Sequence, residues 1–516
     1  MKTLKTVLTG VVSALLTGAL LHAQPSLTAP STDLFVRVAQ PGWNNTSQYS
    51  VTGAWGDYDK DGFIDLFVAN SIEGWEPRAN FLYRNNRNGT FTPTTAAQVG
   101  AVVTNFDASV GGYWGDFNND GRLDLFVLST LASATSPAVM NRLYLNRENG
   151  GFTLAAGGDL TKPCYAVGWA AVADYDQDGW LDVYVPSAWT EAGRFTNQLY
   201  HARGDGRFTH VTDSPVVTDR ISSVYTLSAV WGDYDNDGDV DLVVANNQGQ
   251  DFFYRNDGRG QFTRLTNSLL EQPGYLTRHQ AWGDYDNDGF LDLASGCRDS
   301  LRLFRNDGGS DFLVATNWTA EVDRATPVWG DYDNDGHLDL LAIRGQSVAR
   351  QVRLFHNNGD GSFDQVEDAF TRPSGYWLGG GWGDYDNDGF LDLFIANDTG
   401  QNVLYHNEGN GNHWLTVQLE GKVSNGAAIG AKVRVKATIA GKTVWQLREV
   451  SGGNYCQNDL RPHFGLGDAT VAEVVRIEWP SGNVQEYTEQ PVDRLMRITE
   501  ALRITPARPT ASLGAR

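Results

Sequence analysis

Cysteine and methionine are scarce, at three residues each in 516. Cys164, Cys297 and Cys456 allow one intramolecular bridge at most, which excludes a disulfide scaffold. None follows the N-terminal apolar run closely, so a lipid-modified cysteine is not expected there. Basic residues are also short: 40 Lys+Arg stand against 62 Asp+Glu, for a formal net charge of −22. That balance excludes a general nucleic-acid binder, which needs positive surface to displace counterions from phosphate. It suits a protein that holds cations. One uncharged apolar run exists, Val7 to Leu21, and at roughly 15 residues it falls short of the ~20 that a spanning helix needs. Lys2 and Lys5 precede it and His22-Ala23-Gln24 follow it. Residues 1–23 are therefore expected to be a secretory signal cleaved after Ala23. The mature chain is expected to be secreted or held at the cell surface, periplasmic or extracellular if bacterial.

Glycine and aromatics are plentiful, with 57 Gly and 16 Trp, the mark of many tight turns between short strands. Internal repetition dominates the chain. A segment typified by Trp55-Gly-Asp-Tyr-Asp-Lys-Asp-Gly-Phe-Ile-Asp65 occurs seven times, at intervals of 47 to 59 residues. Each copy is followed by a Leu-Tyr-like pair, an Asn/Gly turn and a Phe, as in Leu82-Tyr83 through Phe91. One unit thus predicts four short strands, the content of one propeller blade. The expected fold is all-β: a seven-bladed β-propeller over 24–412, then a small β-sandwich-like domain over 413–500 and a disordered tail over 501–516. Leu34-Phe-Val-Arg-Val38 resembles the strand that follows each Gly-x-Phe turn, so it is expected to pair into the last blade and close the ring.

The acidic loops have the form Asp-x-Asp/Asn-x-Asp-Gly-x-x-Asp, in which alternate residues project inward and Gly permits the turn. Expected metal ligands in the first loop are Asp57, Asp59, Asp61, the Phe63 carbonyl and Asp65. The second supplies Asp116, Asn118, Asp120, the Arg122 carbonyl and Asp124; the third Asp174, Asp176, Asp178, the Trp180 carbonyl and Asp182. The fourth supplies Asp233, Asp235, Asp237, the Asp239 carbonyl and Asp241; the fifth Asp284, Asp286, Asp288, the Phe290 carbonyl and Asp292. The sixth supplies Asp331, Asp333, Asp335, the His337 carbonyl and Asp339; the seventh Asp384, Asp386, Asp388, the Phe390 carbonyl and Asp392. That many oxygens suit Ca²⁺ better than Mg²⁺, and the loops lack the thiol and imidazole ligands of Zn²⁺. An EF-hand is excluded, because the twelfth residue of each loop (Val68, Val127, Val185, Val244, Ser295, Ala342, Ile395) is not acidic. About seven structural Ca²⁺ would offset 14 charges and take the formal charge from −22 to −8. In the third repeat Val172-Ala173 replaces Trp-Gly, yet all its acids remain. The recurrent Trp reads as a packing residue between blades. His201, His356 and His406 share one repeat position, which argues for packing or hairpin polarity over catalysis.

These loops resemble the calcium loops of FG-GAP/VCBS repeats, as in integrin alpha-subunit propellers. The C-terminal region resembles the ASPIC/UnbV domain in Gly426-Ala-Ala-Ile-Gly-Ala-Lys-Val433, Arg448-Glu449, Gly452-Gly453, His463-Phe-Gly-Leu-Gly467 and Trp479-Pro-Ser-Gly482. Together they are similar to the cartilage acidic protein-like family. The resemblance implies a secreted calcium-binding propeller with a β-rich appendage, and no reaction.

An aromatic recurs before each loop's entering strand: Tyr49, Phe106, Tyr165, Tyr225, Tyr275 and Tyr376, with Arg324 in the sixth repeat. Trp75 and Trp189 lie in the long loops expected to return to the same end. These nine residues form the candidate ligand surface, fit for extracellular glycan or protein. The expected function is a binding or adhesion module. No catalytic residue stands out. The alternatives are a polysaccharide lyase or hydrolase, for which Glu73 and Glu191 are the nameable carboxylates, and a scaffold of a surface assembly docking through its C-terminal domain.

Overall fold

The computed structural model describes residues 33–502, apart from 41–42, 44–48, 73–75, 131–138, 165–167, 190–194, 220–225, 248, 273, 323, 345–351, 369, 373–374, 376 and 454. Glu73, Trp75, Tyr165, Glu191, Tyr225 and Tyr376, the signal segment and most of the tail lie outside the described residues. No helix among the described residues is long and apolar enough to cross a membrane.

Each repeat builds one antiparallel sheet. A strand running into the acidic loop, such as Ser50–Gly56, pairs with the strand leaving it, Asp65–Ile72. The register is the same in every repeat: the residue before the first loop Asp faces the last loop Asp, as Gly56↔Asp65, Ala173↔Asp182 and Gly383↔Asp392. Each acidic loop is therefore pinned at both ends by a β pair. The leaving strand then pairs with the Leu-Tyr strand, which turns back to a strand opened by Phe. Asn85↔Phe91, Asn146↔Phe152 and Asn256↔Phe262 mark that turn. The seventh repeat lacks its own returning strand. Phe35–Val38 supplies it, with Phe35↔Asn407 in the register of the other Asn↔Phe pairs. The ring-closing pairing expected from the sequence is present, and no sheet edge is left open there.

Neighbouring sheets lock through the recurrent tryptophan. Trp114 Nε1 donates to the Ala54 carbonyl (3.1 Å), Trp329 Nε1 to Ala281 (3.2 Å), and Trp55 Nε1 to Gly381 (3.2 Å), which joins the first sheet to the seventh. The indole lies flat on the Gly of the preceding Trp-Gly pair. A Cβ at Gly56 would stand 2.8 Å from Trp114 Cδ1, and one at Gly232 would stand 2.6 Å from Trp282 Cδ1. Both partners are rigid rings, so Gly56→Ala is expected to cost about 1–3 kcal/mol by overpacking. Urea denaturation would read this as a lower midpoint at unchanged slope. The third sheet repairs its missing tryptophan locally: Trp169, three residues upstream of Val172, donates to the Val110 carbonyl of the second sheet (3.1 Å).

The C-terminal region forms two further sheets. His413–Glu420 lies between His463–Gly467, antiparallel, and Arg494–Thr499, parallel. Lys432–Ile439 and Val471–Glu478 pair centrally, flanked by Lys442–Glu449 and Val484–Pro491. Alternating residues of both sheets (Leu415, Val417, Val433, Val435, Val475, Met496) bury a common core. That core runs on into the repeats. Tyr455 sits between Trp169 and His279, with ring centroids 4.5 Å from each. Gln457 then bonds the entering strands from within: its carbonyl accepts from Trp55 N (3.3 Å), its Oε1 from Trp114 N (2.7 Å), and its Nε2 donates to the Trp114 carbonyl (3.0 Å). Asn458 Oδ1 accepts from Trp382 N (3.0 Å). The segment 455–458 is thus a stopper against the strands that line the middle of the ring.

Candidate metal centres

All seven acidic loops fold alike. The fourth residue is left-handed in each: Lys60, Asn119, Gln177, Asn236, Asn287, Asn334 and Asn387 have φ between 52° and 61°. The glycine two places on is also at positive φ, for example 93° at Gly62. This double reversal curls the chain so that the first, third and fifth carboxylates converge. The first Asp anchors the curl: Asp57 accepts from Asp61 N (3.0 Å) and Gly62 N (2.9 Å), and Asp384 accepts from Asp388 N (3.1 Å) and Gly389 N (3.0 Å). The last Asp ties loop to sheet: Asp65 accepts from Asn85 N (2.8 Å) and Tyr58 N (3.2 Å).

The fourth-position side chains form a closed circuit. Lys60 Nζ donates to the Gly121 carbonyl of the next loop (2.7 Å), Asn119 to Gly179 (2.7 Å) and Gln177 to Gly238 (2.6 Å). Asn236 donates to Gly289 (3.0 Å), Asn287 to Gly336 (3.0 Å), Asn334 to Gly389 (2.9 Å), and Asn387 back to Gly62 (3.0 Å). A second set runs the other way. The hairpin Asn85 Nδ2 donates to the Tyr385 carbonyl (2.7 Å), Asn146 to Tyr58 (2.7 Å), and Asn357 to Tyr285 (2.8 Å). The recurrence of a long amide or amine at the fourth position was the available signal. Its partner in the next repeat was not, because that contact spans some fifty residues of chain.

Buried carboxylates crowd each loop. Burial pushes the Asp57 and Asp116 carboxyls up to about 6, Asp284 to about 7 and Asp174 to about 8, with neighbouring aspartates adding to the rise. Asp65, Asp124, Asp241 and Asp292 are raised further by burial. Oδ1 of Asp176, Asp233, Asp333 and Asp386 is buried without a hydrogen-bond partner. An orphaned acceptor within a three-carboxylate cluster, as Asp176 Oδ1 in Asp174-Asp176-Asp178, matches what a hard cation needs. The all-oxygen donor set fits Ca²⁺, which would neutralise the cluster and stiffen the curl.

The loops are expected to lack imidazole ligands, yet imidazoles reach three of them from a neighbouring strand. His201, His356 and His406 project from the Leu-Tyr strands, pack edge-on against Tyr175, Tyr332 and Tyr385, and face the carboxylates of the third, sixth and seventh loops. His337 uses its ring on Asn287, at 3.2 Å.

The C-terminal sheets lie over these loops. Lys432 Nζ pairs with Asp233 and contacts Asn236 Oδ1 (3.1 Å), and Glu449 Oε2 accepts from Asp233 N (3.1 Å). Gly465 N donates to Asp331 Oδ2 (3.1 Å), Arg461 Nη2 to the Asp384 carbonyl (3.3 Å), and His463 Nε2 meets Asn334 Oδ1 at 2.7 Å. Several motif residues of the C-terminal region are therefore docking residues. Between the two parts lies a cavity of about 200 Å³, walled by Trp231, Trp282 and Trp329 on one side and Arg448, Glu449 and His463 on the other.

The far ends of the entering strands carry the described members of the candidate ligand surface. Arg78 stacks over Tyr49 at 5.4 Å and Arg302 over Tyr275 at 4.9 Å. Phe106 is 69% exposed. Arg324 takes φ 53° just before its strand, its N–H donating to the Cys297 carbonyl (2.7 Å). Trp189 ends the leaving strand Asp182–Trp189. Phe106–Asp107 pairs with Glu76–Ala79, Ala79 facing Phe106, so Tyr49, Arg78 and Phe106 gather at the first sheet, while Trp189, Tyr275 and Arg324 stand at three others.

The family model described as "FG-GAP-like repeat" matches residues 35–127, 130–185, 188–244, 233–295, 284–342 and 331–395, and the model "ASPIC and UnbV" matches 421–504. Cartilage acidic protein 1 of Homo sapiens is 28% identical over 300 residues, covering 56% of this chain and 38% of that protein. Its Mus musculus counterpart is 28% identical over 266 residues, covering 47% and 40%. The chain thus spans about two-fifths of the length of these curated relatives. Among solved structures, a lectin of Agrocybe aegerita, described as recognising non-reducing terminal N-acetylglucosamine, is 16% identical with a TM-score of 0.41, over 72% of this chain and 87% of that one. The repeat matches cover more than half of the sequence, so the chain belongs to the FG-GAP-like repeat proteins, with an ASPIC and UnbV domain after the repeats.

Proposed function

We propose that this protein is an exported, calcium-loaded binding or adhesion module that engages extracellular glycan or protein through the end of the ring away from its metal loops. In this reading residues 24–412 form a seven-bladed propeller, 413–500 a second domain that caps it, and 1–23 a cleaved signal. Ca²⁺ at the seven loops is structural: it supplies charge neutralisation and rigidity, and the first, third, fifth and ninth side chains hold it. The observation that carries the binding reading is the aromatic–arginine character of the far end, where Tyr49–Arg78, Tyr275–Arg302 and exposed Phe106 present flat faces beside charge. Sugar rings and peptide side chains stack on such faces.

The test is a screen of glycans and extracellular-matrix proteins against the calcium-loaded full chain. Binding is expected to fall at least about tenfold, or 1.4 kcal/mol, in Phe106→Ala/Tyr275→Ala. Absence of any ligand across both panels, or binding indifferent to these substitutions, overturns the reading.

A further inference from the structure

The residue after the hairpin Tyr or Phe faces its loop in six of the seven sheets, and its chemistry divides the loops. It is Arg84, Arg255 and Arg305 in the first, fourth and fifth sheets, Leu145 in the second, and His201, His356 and His406 in the third, sixth and seventh. Arg84 pairs with Asp59 at 2.7 Å; a guanidinium carries no lone pair for a metal. An imidazole does.

The three imidazoles are placed as ligands. His201 Nδ1 lies 3.4 Å from both Asp176 Oδ2 and Asp182 Oδ1. His356 Nδ1 lies 3.3 Å from Asp333 Oδ2 and 3.2 Å from Asp339 Oδ1. His406 Nδ1 lies 3.5 Å from Asp386 Oδ2 and 3.1 Å from Asp392 Oδ1. One ring nitrogen carries at most one proton and donates along one direction, so a hydrogen bond accounts for one such contact, not two. Nδ1 of His201 and of His356 is buried and makes no hydrogen bond of standard geometry. Ligand–metal bonds of about 2.0–2.1 Å at tetrahedral angles set donor atoms about 3.3 Å apart, which the observed separations bracket.

A second difference singles out the same three loops. In the other four, Oδ1 of the third residue accepts the backbone N–H of the fifth: Asp59 from Asp61 (3.3 Å), Asn118 from Asp120 (3.1 Å), Asp235 from Asp237 (3.3 Å) and Asp286 from Asp288 (3.3 Å). In the histidine loops that oxygen, on Asp176, Asp333 and Asp386, is buried and orphaned.

We propose that the third, sixth and seventh loops are mixed imidazole–carboxylate sites that take a borderline divalent transition metal of the Zn²⁺ class ahead of Ca²⁺, while the other four loops are oxygen-only calcium sites. Nitrogen ligation raises affinity for such metals in the Irving–Williams order and does nothing for Ca²⁺. This inference rests on the reading that the loops hold metal, and it divides the ring into two metal classes.

Co²⁺ tests it, because its visible spectrum reports coordination. The full chain, stripped and then held in excess Ca²⁺, is titrated with Co²⁺ and back-titrated with Zn²⁺. About three equivalents are expected to bind with intense d–d bands, released by Zn²⁺, with Cu²⁺ substitution giving nitrogen splitting in the electron paramagnetic resonance spectrum. The variant His201→Arg/His356→Arg/His406→Arg installs the residue that three other sheets carry there. It should lose these bands and hold Co²⁺ at least about tenfold more weakly, while still melting higher with Ca²⁺ than without. Single His→Gln variants, each losing about one equivalent, guard against misfolding of the triple variant. Co²⁺ bound with weak six-oxygen bands, or bound equally by the triple variant, overturns the proposal. If Ca²⁺ stabilises neither protein while the nitrogen signature persists, the calcium reading and the assignment of the other four loops fail, and only the three imidazole sites stand.

Discussion

Removing divalent cations is expected to unfold the protein or to lower its melting temperature by about 20 °C or more. One site held at a hundredfold excess over its Kd contributes about 2.7 kcal/mol, so seven together approach 19 kcal/mol, more than the 5–15 kcal/mol by which domains are ordinarily stable. At about 2 °C per kcal/mol, losing half of that already gives the stated shift. The physical reason is the crowding of carboxylates in each curl: five in the fourth loop, three in the second and four in each of the other five. Calorimetry with and without EDTA measures it, and identical melting curves would remove the metal reading. The pH dependence should invert between the two states. In the chelated protein Asp57 titrates at about 6 and Asp174 at about 8, against an unfolded value near 3.8. A raised folded value means the stability contribution is complete below pH 3.8 and is lost as pH rises through 6 to 8. Chelated protein should therefore melt higher at pH 5 than at pH 8. Calcium-loaded protein should do the reverse, since protons compete with Ca²⁺ for the same oxygens.

The second large effect is expected at the stopper. Tyr455→Ala should destabilise the chain by about 3–5 kcal/mol, the usual cost of deleting a buried aromatic. The ring is 4% exposed and wedged between Trp169 and His279, so its removal leaves a hole lined by rigid groups that cannot collapse. Tyr455 is also where the C-terminal part enters the ring, its carbonyl accepting from Thr52 Oγ1 at 2.8 Å. Equilibrium urea unfolding should show a lower midpoint, and limited proteolysis should newly cut the 450–462 segment. A loss under about 1 kcal/mol with unchanged proteolysis would mean that the stopper does not bind the two parts together.

The capping of the loops gives the metals a second consequence. Lys432, Arg461 and the Gly465 N–H reach the first aspartates of three loops from the C-terminal sheets. Charge on those aspartates is shared between the proposed ions and this positive underside. Under the proposed calcium loading, ion binding and docking would be coupled through the Asp233 and Asp331 carboxylates.

Much of this was legible in sequence because it is local and repeated. The spacing Asp-x-Asp-x-Asp-Gly-x-x-Asp fixes which side chains converge, since a loop of that length between paired strands has one practical curl. The Asn/Gly turn and its Phe fix the hairpin. Even Phe35–Val38 could be assigned to the last sheet, because it repeats a strand the seventh unit lacks. The far-end surface was less legible. Tyr49, Phe106 and Tyr275 recur at one position because each precedes an entering strand, and only the strand pairing Ala79↔Phe106 brings the first two to one sheet while Tyr275 stays at another.

What the chain determined by itself, then, was the unit: its strands, its acidic curl and its order around the ring, all set by residues within about sixty positions of one another. What only the tertiary structure decided was everything that passes between units. The circuit from Lys60 to Asn387 and back to Gly62, the imidazoles turned onto the loops from another strand, and residues 455–458 lodged against Trp55, Trp114 and Trp382 all join groups far apart in sequence. The reason is physical: a repeat pattern states what each segment prefers, but a hydrogen bond or a ligand set across segments exists only once packing has brought its two sides within about 3 Å.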